Sequence, residues 1–387
     1  MNLTLIGGKI ITPFREIKKG AITITGDKIY DVTTTKNLKL EGETDIIDVS
    51  GCIVMPGFVD LLVHGGAGGY GFSDESDESI DKIAKYFIEH GSTSILASLH
   101  AKPKEKLLDD LNRVANYIRN NPDTNIRGIH MEGPYLNPKF KGAMNEEYLW
   151  KPSIESFREI YNASQGYLKM MTIAPELSGA LDVIRDAAFH GVITSLGHSE
   201  AIYEQIDLAI DRGLAHVTHI FNAAPPMHHR RPSVVVSSLL RDELKIELIA
   251  DSYHVHPAVM ELLLKFKTPK NIILITDSIR VGGMHEGEES QFSDQKVVVK
   301  GNKAVMEDGT IAGSTLTLNR AIKNIVELTN TKITDAVRMA SLNGAKVIGI
   351  PRGILAAGKI ADITVVNDKY EVELTIMDGK IRYQRKN

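Results

Sequence analysis

Residues 57–65 read GFVDLLVHG, an apolar run of strand length that closes on a histidine and a glycine. A short continuous apolar run bounded by glycines fits a strand buried on both faces, as in parallel sheets. Seven runs of the same texture follow: TSILASL (93–99), IRGIHMEG (126–133), LKMMTIAPE (168–176), VITSLGHS (192–199), AHVTHIFN (215–222), KIELIADS (245–252) and NIILITDS (271–278). Helical stretches separate them. SIDKIAKYFIEHG (79–91) and AIYEQIDLAIDRG (201–213) each end in Gly, a frequent helix stop. Eight strands alternating with helices predict an α/β fold, a (β/α)8 barrel. A doubly wound open sheet is the alternative, but it lacks its G-x-G-x-x-G turn after the first strand. GGAGGYG (65–71) lies in a loop beyond His64 and does not lead straight into a helix.

Outside the eight runs the texture changes. LTLIGGKIIT (3–12), AITITGDKIYDVT (21–33) and TDIIDVSGCIVM (44–55) read as short strands between turns. IADITVVND (360–368) and VELTIMDGKIRYQ (372–384) read the same way, with Asp378-Gly379 as a hairpin turn. The expectation is one small β domain built from residues 1–54 and 350–387, with the barrel over 55–349. A β insertion is expected near 290–310, and KITDAVRMASLNGAKVIG (332–349) reads as a late helix pair.

Composition sets limits on function. With 387 residues, 43% of them hydrophobic, the chain can bury a large core. A net charge of −4 gives no basic surface for nucleic acid or for a membrane. Cys52 is the single cysteine, so no intramolecular disulfide forms, as suits a reducing compartment. The first residues show no signal-peptide pattern and no run is long enough to span a bilayer, so a cytoplasmic enzyme is expected.

The polar residues that stand out do so by position. Glu132, His198, His219 and Asp277 lie at the C-terminal ends of the third, fifth, sixth and eighth runs. In a barrel those ends converge on one mouth, where active sites are built. Each alone reads equally well as a cap or a turn residue; four at the same topological place do not. One Glu and two His make a donor set for Zn²⁺ or Fe²⁺, and such an ion makes hydroxide available near neutral pH. Asp277 then serves as general base and acid. His90 and His190 precede glycines at helix ends and read as structural. His100, His130 and His216, in or beside strands, read as core or rim residues.

Several stretches resemble, in order, the motifs of the N-acetylglucosamine-6-phosphate deacetylase family of the amidohydrolase superfamily. They are HMEGPYLNPKFKGAM (130–144), SLGHS (195–199), THIFNAAPPMHHRRP (218–232), ADSYHVHP (250–257), LITDSI (274–279) and DGTIAGSTLTL (308–318). The resemblance implies a barrel with a small β-sandwich formed by both termini, and a homodimer. It implies a metal triad of Glu132, His198 and His219 with Asp277 as the catalytic carboxylate, the same four residues that position selects. It implies a small-molecule amino-sugar phosphate as substrate. Phosphate and sugar contacts map onto Ala143, Asn222, Ala223, Arg230, His254 and the segment Ile311, Ala312, Gly313. Arg230 is implied to reach the neighbouring subunit's site. The family carries a pair of first-strand residues two apart. Here the pair is Leu62 and His64, so one divalent ion per subunit is expected, with His64 an accessory at the mouth. Met144 stands where the family usually has a histidine, which points to altered substrate preference, for instance the galactosamine epimer. A dihydroorotase-type site would need a lysine at the end of the fourth run, where Glu176 stands. A catalytically weak sugar-phosphate-binding protein is the alternative of another class.

Overall fold

The computed structural model describes residues 2–40, 42–301 and 303–386. All eight apolar runs become strands of one parallel sheet. They are β1 (Phe58–Val63), β2 (Ser92–His100), β3 (Ile126–Glu132), β4 (Leu168–Ile173), β5 (Ile193–Leu196), β6 (Leu214–Val217), β7 (Lys245–Ile249) and β8 (Ile272–Ile275). Each pairs with its neighbour in sequence order. The ring closes just past the strand ends, where Val63 bridges Ser278 in parallel and Asp277 N–H donates to Leu62 O at 2.9 Å. A sheet closed on itself leaves no edge, and sequential parallel strands with helical crossovers make it a (β/α)8 barrel.

The strands are buried over most of their length, as continuous apolar runs require, with Ala215 in β6 the exposed position. Beneath the mouth, hydroxyls replace aliphatic groups. His130 Nε2 meets Thr172 Oγ1 at 2.9 Å, Thr172 meets Thr218 at 2.8 Å, and Thr218 meets Ser195 at 2.6 Å. His130 Nδ1 is taken by Leu61 O at 2.8 Å. A buried polar network in which its members are satisfied is rigid, and this one forms the floor of the mouth. Gly197 passes directly over it: a Cβ there would lie 2.7 Å from Thr172 Cγ2 and 2.9 Å from Thr218 Cβ.

After β8 comes an antiparallel sheet of β9 (Glu289–Phe292), β10 (Gln295–Lys300), β11 (Lys303–Met306) and β12 (Ile311–Ser314). It rejoins the barrel through a parallel bridge between Ser278 and Ser314. Gly313 makes that approach feasible. Its φ is +57°, and a Cβ would sit 2.8 Å from Asp277 O.

The terminal segments form two sheets. Residues 28–34, 20–25, 2–6 and 45–48 make one, in that order. The other runs 380–384, 372–377, 363–366, 53–56, 9–11 and 16–17, so strands from both ends of the chain lie side by side. Leu3, Ile22, Ile24, Val54, Ile363 and Leu374 share one core between them, the arrangement of a β-sandwich. The 377–380 hairpin turns at Asp378 and Gly379, whose φ values of +53° and +71° suit a two-residue primed turn. By its contacts the chain divides into two units, Met1–Asp60 with Lys85–Ser94 and Thr317–Asn387, and Leu61–Ala84 with Ile95–Leu316.

One sequence expectation differs in form. Residues 333–347 are a single helical run, α (Ile333–Val337), π (Arg338–Leu342) and α (Asn343–Val347), with no break between two helices. Gly344 lies within this run, and Val59 packs against it: a Cβ there would come within 3.1 Å.

Candidate active site

Glu132 is the last residue of β3; His198, His219 and Asp277 stand two residues past the ends of β5, β6 and β8. The last three occupy left-handed backbone, with φ of +49°, +28° and +51°. Non-glycine residues held there are strained, and such strain collects at functional sites. The turn out of the strand is what aims each side chain inward across the mouth.

Three of the side chains meet, and Asp277 borders the same cavity. Glu132 Oε1 lies 3.0 Å from His219 Nε2 and 3.2 Å from His198 Nε2, and the two imidazole nitrogens are 3.1 Å apart. All are buried. His198 Nδ1 donates to Phe140 O at 2.8 Å, which leaves its Nε2 lone pair directed at the carboxylate. Two imidazole nitrogens facing each other and one carboxylate oxygen repel unless a proton or a cation lies among them. Glu132, His198 and His219 are the one group of three or more converging His, Cys, Asp or Glu donors among the described residues, and they could hold a metal ion.

The electrostatics follow from this crowding. Burial pushes the Glu132 carboxyl up, but His198, His219 and His64 together hold it well below the usual carboxylate range. Burial opposes charge on His219; Glu132 more than offsets it, and the pKa rises to about 9. Asp277 goes the other way. Burial, and then the Glu132 charge, push it up to about 6. A carboxyl near 6 beside a carboxylate held ionised is the separation a proton shuttle needs.

The cavity over these groups is lined by most of the residues singled out from sequence. Ala143, Met144, Asn222, Ala223, His254, Ile311 and Gly313 all border it. Ala312 does not. Strand alternation turns its side chain into the apolar cluster with Val297 and Met306. Arg230 is exposed and lies outside the cavity, with its Nη1 on His229 Nε2 at 2.8 Å. Asn222 N–H donates to His219 O at 3.1 Å, and its side-chain amide donates to His219 O and Ile220 O. Met144 is buried and packs with Ile279 and Phe292 while still bordering the cavity. His64 Nε2 stands 3.0 Å from Glu132 Oε2 and 3.7 Å from Asp277 Oδ1.

Other residues at the site had escaped the sequence reading. Asp251, two residues past β7, accepts from the backbone N–H of Tyr253 and His254, each at 2.8 Å, and pairs with His254 Nδ1 at 2.7 Å. Its position after KIELIA obeys the same strand-end rule, so the signal was there. Glu247, inside β7, reaches His216 Nε2 at 3.1 Å and His219 N–H at 3.4 Å. Glu176 binds Asn137 Nδ2, Ser199 Oγ and Glu200 N–H, tying the β3 loop to the His198 turn. Phe292 enters the cavity from the insertion, far away in sequence.

A model of the amidohydrolase family matches residues 53–382. The N-acetylglucosamine-6-phosphate deacetylase of Bacillus subtilis is 34% identical over 97% of this chain and 95% of its own. The chain belongs to the N-acetylglucosamine-6-phosphate deacetylase family of amidohydrolases. The N-acetylgalactosamine-6-phosphate deacetylase of Escherichia coli O157:H7 is similar too, at 33% identity over 85% of this chain and 87% of its own. Among solved structures, a Mycobacterium smegmatis family deacetylase variant in complex with N-acetyl-D-glucosamine-6-phosphate superposes with a TM-score of 0.93. It covers 99% of this chain and all of its own, at 30% identity. The Thermotoga maritima deacetylase gives a TM-score of 0.88 over 99% of this chain and all of its own, also at 30%. Deacetylases of this family thus share the fold over essentially the whole length.

Proposed function

We propose that this protein hydrolyses the acetamide of N-acetylglucosamine 6-phosphate to glucosamine 6-phosphate and acetate. The observation that carries the reading is the convergence of Glu132, His198 and His219 beside an Asp277 whose pKa is raised, in the mouth of a barrel shared with these deacetylases. The donor set suits one divalent ion, Zn²⁺ or Fe²⁺. When bound, such an ion polarises the amide carbonyl and acidifies a water.

The chain's own residues do the rest. Asp277 accepts a proton from the attacking water and returns it to the amine nitrogen as the C–N bond breaks. His198 is held in one tautomer by Phe140 O and stays oriented throughout. His254, fixed by Asp251, faces the sugar or its phosphate. Ala223 N–H, and Arg230 contributed by a neighbouring subunit of a homodimer, hold the phosphate; Arg offers a planar fork for it. Backbone groups of Ala143, Ile311 and Gly313 border the sugar. No helix among the described residues is long and apolar enough to cross a membrane, and a cytoplasmic site of action fits a phosphorylated substrate.

A second reading has its own support. Met144 offers no hydrogen bond where it borders the cavity, and a galactosamine-phosphate deacetylase is about as similar as the others. Acetate release from the glucosamine and galactosamine epimers, each against an Asp277→Asn control, decides. Release from the gluco substrate that the control abolishes supports the proposal. Release from the galacto epimer alone transfers the assignment to it. Ion bound with no release from either overturns both and favours a binding protein.

A further inference from the structure

The first-strand histidine has no part in the proton transfer and lies outside the metal-binding group, yet its backbone is tied down and its ring is buried at the mouth. Its backbone N–H donates to Ser278 O at 2.8 Å, and its carbonyl accepts Phe72 N–H at 3.0 Å. Its ring is wedged edge-on against Phe292, at 5.5 Å between centroids, and against His100 at 5.9 Å. His100 and Phe292 are themselves in contact at 4.7 Å.

Neither ring nitrogen makes a hydrogen bond of ordinary geometry; Nε2 sits at ion-pair distance from Glu132 and, farther off, from Asp277. Nε2 stands 3.0 Å from Glu132 Oε2, while Glu132 Oε1 is the oxygen that faces His198 and His219. The carboxylate is therefore divided, with its inner oxygen toward the two imidazoles and its outer oxygen toward His64. We propose that His64 is a positioning residue that holds the outer oxygen of Glu132, so that only the inner one is presented to the ion the triad would bind.

The competing role, ligand of a second ion, is poorly served. Leu62, two residues before His64, supplies no donor. Beyond Glu132, the one other carboxylate that pairs with His64 is Asp277, at 3.7 Å. The sole converging donor group among the described residues does not include His64.

The inference rests on the metal site proposed above, so its test reads the ion and needs no substrate. Zn²⁺-loaded wild type, His64→Phe and His64→Gln are assayed for ions per chain and for the rate of release into excess chelator. His64→Phe keeps the aromatic wedge and loses the donor; His64→Gln restores an N–H. The wild type should hold one ion per chain. His64→Phe should release it about 10- to 100-fold faster, the usual cost of losing a residue that orients a ligand. His64→Gln should return most of the way to wild type. Release unchanged in His64→Phe overturns the proposal. So do two ions per wild-type chain with one lost in the variant. Should His64→Phe fold poorly, judged by the melting temperature of the chelated protein, His64→Met against His64→Gln makes the same comparison. A wild type that binds no ion removes the metal reading and this inference together. A wild type that binds ion but releases no acetate removes the proposed substrate and leaves this inference standing.

Discussion

Asp277 is the residue on which the proposed chemistry turns, and its surroundings make the consequence measurable. Burial and the nearby Glu132 charge raise its pKa to about 6. As a base it must be ionised, so kcat/KM should fall on the acid side with unit slope as pH drops through that value. A bound divalent cation favours the carboxylate and moves the limb lower, so the limb is expected at or below pH 6 in the metal-loaded enzyme. Asp277→Asn should lose about 10²- to 10⁴-fold in kcat, the range for a general acid–base, and lose the limb in any residual rate. Its ion content should match wild type, because Asp277 lies outside the triad. Retained activity in Asp277→Asn would reassign the proton transfer. The sign of the stability effect is separate. A raised folded pKa favours the protonated form, so the metal-free protein should lose the Asp277 contribution as pH rises from about 4 through 6. At this scale the sequence was readable where chemistry is carried by rare side chains at strand ends. It was silent on Phe140, whose part is a backbone carbonyl, and on Phe292, which reaches the mouth only through tertiary folding.

Strands and turns show why element ends were harder to read than element centres. The apolar runs over-extend the strands: 192–199 reads as one run, but β5 stops at Leu196 and His198 has already turned into left-handed backbone. Burial continues past the last ladder bond through Gly197, His198 and Ser199, so the turn is as enclosed as the strand and the boundary is not marked by exposure. His90 and His190 were placed correctly at helix ends but for an incomplete reason. Each Nδ1 bonds a carbonyl four residues back, Tyr86 O at 2.8 Å and Asp186 O at 2.7 Å. Burial lowers the His90 pKa, so there the contact is a neutral hydrogen bond and not a charge on the dipole. The β5 turn yields a prediction at this scale. Gly197→Ala places a methyl against Thr172 and Thr218, neither of which can swing away without breaking the hydroxyl floor. Overpacking of this kind costs about 1–3 kcal/mol. The melting temperature should fall, and ion affinity should fall with it, since His198 is the next residue. A variant with an unchanged melting temperature and full ion content would show the floor to be more yielding than its hydrogen bonds suggest.

Over the whole molecule, the pairing of residues 363–366 with 53–56 joins the two ends of the chain in one sheet. Similar β texture at both termini had pointed to such a meeting, though texture alone could not supply the register. A larger question is whether one chain makes a complete site. Arg230 is exposed, and its guanidinium meets His229 instead of the cavity. A phosphate held by Ala223 N–H and His254 alone would lack a bidentate cation, which is the physical ground for taking Arg230 from a second subunit. If sites are shared in this way, two proteins that are each inactive at low substrate should repair each other. Arg230→Ala keeps Asp277 and lacks its partner's guanidinium; Asp277→Asn lacks the base and still donates Arg230. A mixed dimer then holds one site with both residues intact. After equal mixing and subunit exchange, half the dimers are mixed and half the sites in each are whole, so activity at substrate well below the KM of Arg230→Ala should return to about a quarter of wild type. Arg230→Ala alone should raise KM for the phosphorylated sugar far more than it lowers kcat at saturation, because phosphate binding is remote from the bond that breaks. Failure of the exchanged mixture to recover, with each variant dimeric, would mean that every subunit builds its phosphate site from its own residues, and Arg230 would then be a surface residue of the 222–232 loop.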